Sequence, residues 1–309
     1  RPARPIWPPR ARGIVVNARR GGGGGRNGLR RIERRAHRAR EVRALRLRER
    51  NEPQVNMNMT VMAPANLPIR VWAVNGKVII RNWNATVEVR STQGPVQIES
   101  IRKGGVSVLC PSCSVHVRAV RTSVRCMGGS GTVDLSDVQG PQIYVESDSG
   151  PVNLSQVKGE QLYVTRSGAV RGSSLKGRIE FHTRQGEVEI QKSSGFISGR
   201  TESGSVRATM KDWTFADKAL IETVKGDISL SLPTRFSGEV DLRSGTGRVT
   251  SAFALIQSPD KQAALSREKL PRKTFSRLMG LVGDGGEQLK LASESGNVSL
   301  LVTDPAVAR

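Results

Sequence analysis

The chain has 309 residues, 49 Lys+Arg against 27 Asp+Glu, and only 4% aromatic residues beside 33 glycines. That length fits one large domain or two ordinary ones, and no run of eighteen apolar residues is present that could cross a membrane as a helix. Few aromatics and many Gly and Val argue against an aromatic-packed globule and point to a thin core of small β-branched side chains.

Residues 1–52 read as an extension. Residues 1–50 hold 17 Arg, no Lys and three acids (Glu33, Glu41, Glu49), whereas the body beyond them is mildly basic. An asymmetry of this kind points to a polyanionic partner, and an Arg-rich, acid-poor leader has the composition of an organelle transit peptide. Pro2, Pro5, Pro8, Pro9 and the run Gly21 to Gly25 give residues 1–28 little prospect of a core. Over 29–50, Leu29, Ile32, Ala36, Ala39, Val42 and Leu45 recur at helical spacing. Arg31, Arg34, Arg35, Arg38, Arg40, Arg43, Arg46 and Arg48 cover the rest of that helix. Like charges at i,i+4 repel, and a phosphate backbone relieves the repulsion.

At residue 53 the period changes to two. Val55, Met57, Met59 and Val61 alternate with polar residues, which predicts a half-buried strand covering the first edge of the repeat region. From Asn75 a repeat begins. Gly76-Lys-Val-Ile-Ile, Gly94-Pro-Val-Gln-Ile, Gly131-Thr-Val-Asp-Leu, Gly150-Pro-Val-Asn-Leu, the degenerate Gly168-Ala-Val-Arg-Gly, Gly186-Glu-Val-Glu-Ile, Gly204-Ser-Val-Arg-Ala, Gly226-Asp-Ile-Ser-Leu and Gly296-Asn-Val-Ser-Leu are copies mostly about 18 residues apart. Half-repeats such as Gly140-Pro-Gln-Ile-Tyr-Val and Gly177-Arg-Ile-Glu-Phe come about nine residues later. One such unit cannot bury its apolar face alone, but stacked units can. The expectation is an all-β, right-handed parallel β-helix of about ten coils over residues 53–257, roughly 50 Å long at a strand spacing of about 4.8 Å.

The register predicts the interior. Val78, Val96, Val133, Val152, Val170, Val188, Val206 and Ile228 form one internal ladder. Ile143, Leu162 and Ile179 form another beside Val145, Val164 and Phe181, so that Tyr144 and Tyr163 point outward, one above the other. Over 258–283, apolar residues among many charges, broken at Pro271, read as a helical insertion that plugs the last edge. Residues 284–309 return as a closing coil and tail.

The repeats, with Thr223-Val-Lys-Gly-Asp-Ile-Ser-Leu and Ser293-Glu-Ser-Gly-Asn-Val-Ser-Leu, resemble an adhesin-type β-strand-repeat family over about residues 65–257 and the final coil. The resemblance implies a right-handed β-helix and no recognised catalytic residues.

Candidate chemistry is sparse. Cys110-Pro-Ser-Cys113-Ser-Val-His116, with Cys126 further on, has the residue types of a zinc site. The register turns His116 away from Cys113 and sends all three thiols inward, so core packing is the expectation and Cys110, Cys113 and Cys126 are the candidates if a metal binds. Three cysteines are odd for a disulfide scaffold and favour a reducing compartment. No hydrolase elbow, P-loop or zincin motif is present, and no carboxylate ladder stands on one face, so the chain reads as a non-enzyme without a cofactor. Ser100–Val133 contains no acid while Arg118, Arg121 and Arg125 lie in it, suggesting a second phosphate-facing patch. Asn58, Asn84, Asn153 and Asn297 begin glycosylation sequons that matter only if the chain is secreted.

The function these features predict is a structural component of a large ribonucleoprotein, a mitochondrial ribosome or its assembly intermediate in the mitochondrial matrix. The Arg-rich arm would bind rRNA or another polyanion, and the solenoid would dock neighbouring proteins. The alternative is an adhesion module at the cell surface or in the periplasm.

Overall fold

A computed structural model describes residues 59–214, 218–256 and 276–303, and the backbone of the strand Ile14–Ala18. The described residues form a parallel β-solenoid. Each coil carries two short strands, and equivalent strands of successive coils pair in parallel, building two walls with a core between them. Val78–Trp83, Val96–Ile101 and Val115–Val120 open the first wall. Ile69–Ala73, Val87–Ser91, Val106–Cys110 and Val124–Gly128 open the second. In the middle coils, Val133–Ser147, Val152–Thr165 and Val188–Ser203 bend through the corner and serve both walls.

Alternation in the sequence becomes alternation in burial because successive side chains of a strand point to opposite faces. The predicted ladder from Val78 to Ile228 is buried throughout. The second ladder is out of step with expectation in one coil. A register shift between Lys158 and Glu160 places Gln161 and Tyr163, not Leu162 and Val164, on the inner face. The inner columns are therefore Ile143–Gln161–Ile179 and Val145–Tyr163–Phe181. Sequence alternation alone does not reveal a bulge, which flips every side chain after it. Buried Gln161 is satisfied: its amide donates to the Lys176 carbonyl at 2.9 Å, and its oxygen accepts from the Tyr163 hydroxyl at 2.7 Å.

Two further ladders hold the corners. At one corner a non-glycine residue with φ near +55° recurs in coil after coil: Asn82, Ser100, Ala119, Asp137, Gln156, Ser174 and Lys192. The next residue then turns inward, as Trp83, Ile101, Val120, Val138, Val157 and Leu175 do. At the opposite corner an inward hydroxyl closes the turn before the repeat glycine in four coils. Ser91 donates to the Gly94 carbonyl at 3.0 Å, Ser147 to Gly150 at 2.7 Å, Thr165 to Gly168 at 2.9 Å and Thr183 to Gly186 at 3.1 Å. The repeat is thus better written Ser/Thr-x-x-Gly-x-Val. The glycines sit where neighbouring coils nearly touch: a Cβ on Gly150 would lie 2.0 Å from the Gly131 carbonyl oxygen.

Both ends differ from expectation. Met59, Thr60, Val61 and Met62 are exposed and form no strand; residues 53–58 lie outside the described residues. The first edge is covered instead by Ile14–Ala18, from inside the Arg-rich extension, which pairs in parallel with Ile69–Ala73. At the other end, the part of the predicted helical insertion that is described is a strand. Ser276–Val282 pairs antiparallel with Gly238–Ser244, with Leu278 packed against the core and Val282 buried in it. Residues 257–275 lie outside the described residues. The C-terminal coil does not close the rod. Gln288–Ser295 lies between Ala219–Lys225 and Gly238–Ser244, and Val298–Val302 lies between Ile228–Leu232 and Val249–Ser251. The last coil in sequence is thus the penultimate coil in space.

Candidate nucleic-acid interface and surface sites

Arg31, Arg34, Arg35, Arg38, Arg40, Arg43, Arg46 and Arg48 lie outside the described residues. The described part is the anchor of the segment that carries them. Ile14–Ala18, from within the extension, pairs with Ile69–Ala73 of the first coil.

The structure does not bring Arg118, Arg121 and Arg125 together. Arg118 stands on the outer face of the first wall, between Glu99 and Ser136. Arg121 sits at the corner and is neutralised by Asp137, at 2.7 Å to the carboxylate and 2.7 Å to the carbonyl oxygen. Arg125 is on the second wall, its guanidinium 5.2 Å from the centre of the Tyr144 ring, a cation–π contact. Strands in successive walls of one coil face opposite ways, so an acid-free stretch of sequence is divided between two surfaces. Tyr144 is half-buried, hydrogen-bonded to Glu146 at 2.8 Å, and its phenol is pushed up to about 12 by burial and by Glu146. Tyr163 is inside, so the two do not form an outward pair.

The cysteines divide likewise. Cys110 and Cys113 are joined as a disulfide with Cα atoms 5.5 Å apart. They occupy the Ser/Thr and Gly positions of the turn motif, so a covalent bond does in that coil what a hydroxyl–carbonyl hydrogen bond does elsewhere. Cys126 faces the core between Val108 and Val145. Burial pushes its thiol up to about 12, which keeps it protonated at neutral pH. His116 points outward and meets Asp134 at 2.8 Å. Among the described residues no group of three or more His, Cys, Asp or Glu is placed to hold a metal ion.

Two further surface features stand out in the structure. On the second wall Asp241 is outward in register yet its side chain is 3% exposed, held by Arg243 at 2.6 Å and Arg277 at 3.0 Å. Burial alone would raise its pKa; the two guanidinium groups outweigh that and hold it below the usual carboxylate value. On the first wall a shallow open groove of about 360 Å³ spans four coils. One column of its lining is Asp134, Asn153, Arg171 and Glu189; the other is Ser136, Ser155, Ser173 and Gln191. Only the stacking of coils places residues 18 or 19 apart in sequence into such columns.

No helix among the described residues is long and apolar enough to cross a membrane. No curated protein and no solved structure matches the chain. The profile of the Toastrack DUF4097 family matches residues 74–301, which is most of the solenoid including its out-of-order last coil. The chain belongs to the Toastrack DUF4097 family.

Proposed function

We propose that this chain is a non-catalytic scaffold in a ribonucleoprotein particle, a mitochondrial ribosome or its assembly intermediate in the mitochondrial matrix. Its Arg-rich extension contacts rRNA and its solenoid walls dock neighbouring proteins. The observation that carries this reading is the anchoring of the extension: 17 Arg against three acids in residues 1–50 are tied to the rod by the strand Ile14–Ala18. Guanidinium groups bind phosphates in bidentate fashion, and contacts of this kind carry little sequence specificity. Engaging six to ten phosphates makes affinity fall by roughly 10³–10⁵ from 50 to 200 mM salt.

The anchor dictates the test. Deleting residues 1–50 would also remove a strand of the first coil, so the informative variant replaces Arg31, Arg34, Arg35, Arg38, Arg40, Arg43, Arg46 and Arg48 by Gln and keeps Ile14–Ala18. Loss of salt-sensitive co-sedimentation with ribosomal particles supports the reading; unchanged association refutes it.

A second reading, an adhesion module at the cell surface or in the periplasm, is favoured by the Cys110–Cys113 disulfide, because such bonds persist in oxidising compartments. Localisation of the tagged chain separates the two.

A further inference from the structure

We propose that one corner of the solenoid binds the phosphate backbone of duplex RNA. This surface is separate from the Arg-rich extension; the choice of RNA among polyanions rests on the ribonucleoprotein reading above.

The corner is the one at which the inward side chains of Ile101, Val120, Val138, Val157 and Leu175 stack. The residue after each of them is exposed: Arg102, Arg121, Gln139, Lys158 and Lys176. No acid stands in this column, and Lys158 lies directly opposite Lys176. Like charges so placed destabilise a sheet, and a phosphate between them relieves the cost. Lys103, Arg178 and Lys192 flank the column and are exposed. Apart from Arg121, which Asp137 holds at 2.7 Å, none of these cations is in an ion pair among the described residues. Arg178 instead lies 5.2 Å from the centre of the Phe196 ring.

The charge belongs to this corner and not to the coils as such. Its segments 100–103, 119–121, 137–142, 156–160, 174–178 and 192–194 hold seven cations and two carboxylates, Asp137 and Glu160, a net of +5. Arg121 already takes up Asp137. The opposite corner, in segments 92–95, 111–114, 129–132, 148–151, 166–169 and 184–187, holds Arg166, Arg184, Asp148 and Glu187, a net of zero. There Arg166 is paired with Asp148 at 2.9 Å and Arg184 with Glu202 at 3.0 Å. Only stacking in register gathers cations about 18 residues apart in sequence along one edge.

Shape and chemistry select the ligand class. From the coil of Arg102 to that of Lys192 is five coil steps, roughly 24 Å at about 4.8 Å each, which suits a linear polymer of anions and not a single small one. Binding to single strands uses exposed aromatic rings for base stacking, but Trp83 and Phe196 at this corner are buried. None of the large exposed apolar residues lies in these segments, so an anionic membrane would gain no apolar insertion. Duplex RNA is recognised through its backbone and shape, which a convex row of flexible cations can meet without reading bases.

The test measures binding of full-length protein to a short mixed-sequence RNA duplex across a salt series, beside the same sequence as a single strand and phosphatidylserine vesicles. Lys158→Gln/Lys176→Gln/Lys192→Gln should weaken duplex binding at least about tenfold at near-physiological salt. It should also make the log–log salt slope shallower by about 2–3, since each phosphate contact contributes about 0.7–0.9. The matched variant Lys77→Gln/Arg166→Gln/Arg184→Gln removes the same charge from the opposite corner and should leave both quantities unchanged. Both triple variants are also made in the chain whose eight extension arginines are replaced by Gln, so that the extension does not mask the corner, and unchanged thermal melting shows that they fold. If the extension variant loses RNA binding and the Lys158/Lys176/Lys192 variant does not, this proposal is overturned and the role of the extension stands; the converse result upholds the corner and refutes the extension. The proposal also fails if both triple variants weaken binding equally, if the single strand binds as tightly as the duplex in the extension-Gln chain, or if the Lys158/Lys176/Lys192 variant lowers vesicle binding and not duplex binding.

Discussion

The hydroxyl ladder predicts opposite outcomes for one substitution made in adjacent coils. Thr183 donates to the Gly186 carbonyl at 3.1 Å and accepts from the Gly186 N–H at 2.9 Å, and it is buried. Thr183→Val keeps the β-branched shape but strands a backbone donor and acceptor in the core. An unsatisfied buried group costs about 1–3 kcal/mol, so about 2 kcal/mol of destabilisation is expected. Thr201 stacks directly on Thr183 and is fully buried, yet its hydroxyl has no partner among the described residues. It already bears the desolvation cost, and Thr201→Val removes it, so stability should stay level or rise by up to about 2 kcal/mol. Urea unfolding of both variants beside wild type measures the difference, provided the slope with denaturant is unchanged. Equal effects of the two substitutions, or a neutral Thr183→Val, would refute the claim that this hydroxyl column closes the turns.

Glycine positions offer a second comparison. Gly177 has φ +112° and a Cβ there would meet the Gly159 carbonyl oxygen at 2.4 Å, whereas nothing lies within 4 Å of a Cβ on Gly105. Gly177→Ala should cost about 3 kcal/mol or more and Gly105→Ala less than about 0.5 kcal/mol, both read by thermal melting. Ala119 adopts φ 54°; Ala119→Gly relieves that strain and should raise stability by about 0.5–1 kcal/mol in the same assay. The native pKa of Asp241 lies below its unfolded value, so its contribution is complete above the unfolded pKa of about 3.9 and is lost as pH falls through the native value. Asp241→Asn should destabilise by about 3 kcal/mol at neutral pH, since it leaves two guanidinium groups without their carboxylate, and should flatten the acid limb of a stability–pH curve; an unchanged acid limb would remove Asp241 from the account.

Much of the fold is dictated by local pattern. Glycine spacing, two-residue alternation and the turn-closing Ser/Thr each act within a single coil. Any unit obeying them must stack on a neighbour to bury Val78, Val96 or Val152, so the solenoid and its main ladder are written in the sequence. The bulge near Gly159 was not legible, because Leu162-Tyr163-Val164 offers apolar side chains in either register and only pairing with the flanking coils chooses one. Nor did local pattern show that Ser276–Val282 is an edge strand, since its partner Gly238–Ser244 lies far away in the chain.

The same division governs function. Composition alone singles out the Arg-dense segment as the candidate for the proposed polyanion contact, because net charge acts whatever the fold. Tertiary structure alone decided that Ile14–Ala18 ties the leader to the rod, that Arg118 and Arg125 face apart, and that the last coil slips beneath its predecessor. These outcomes depend on which backbone edges pair across long separations, and hydrogen bonds between edges carry no signature in the side chains that flank them.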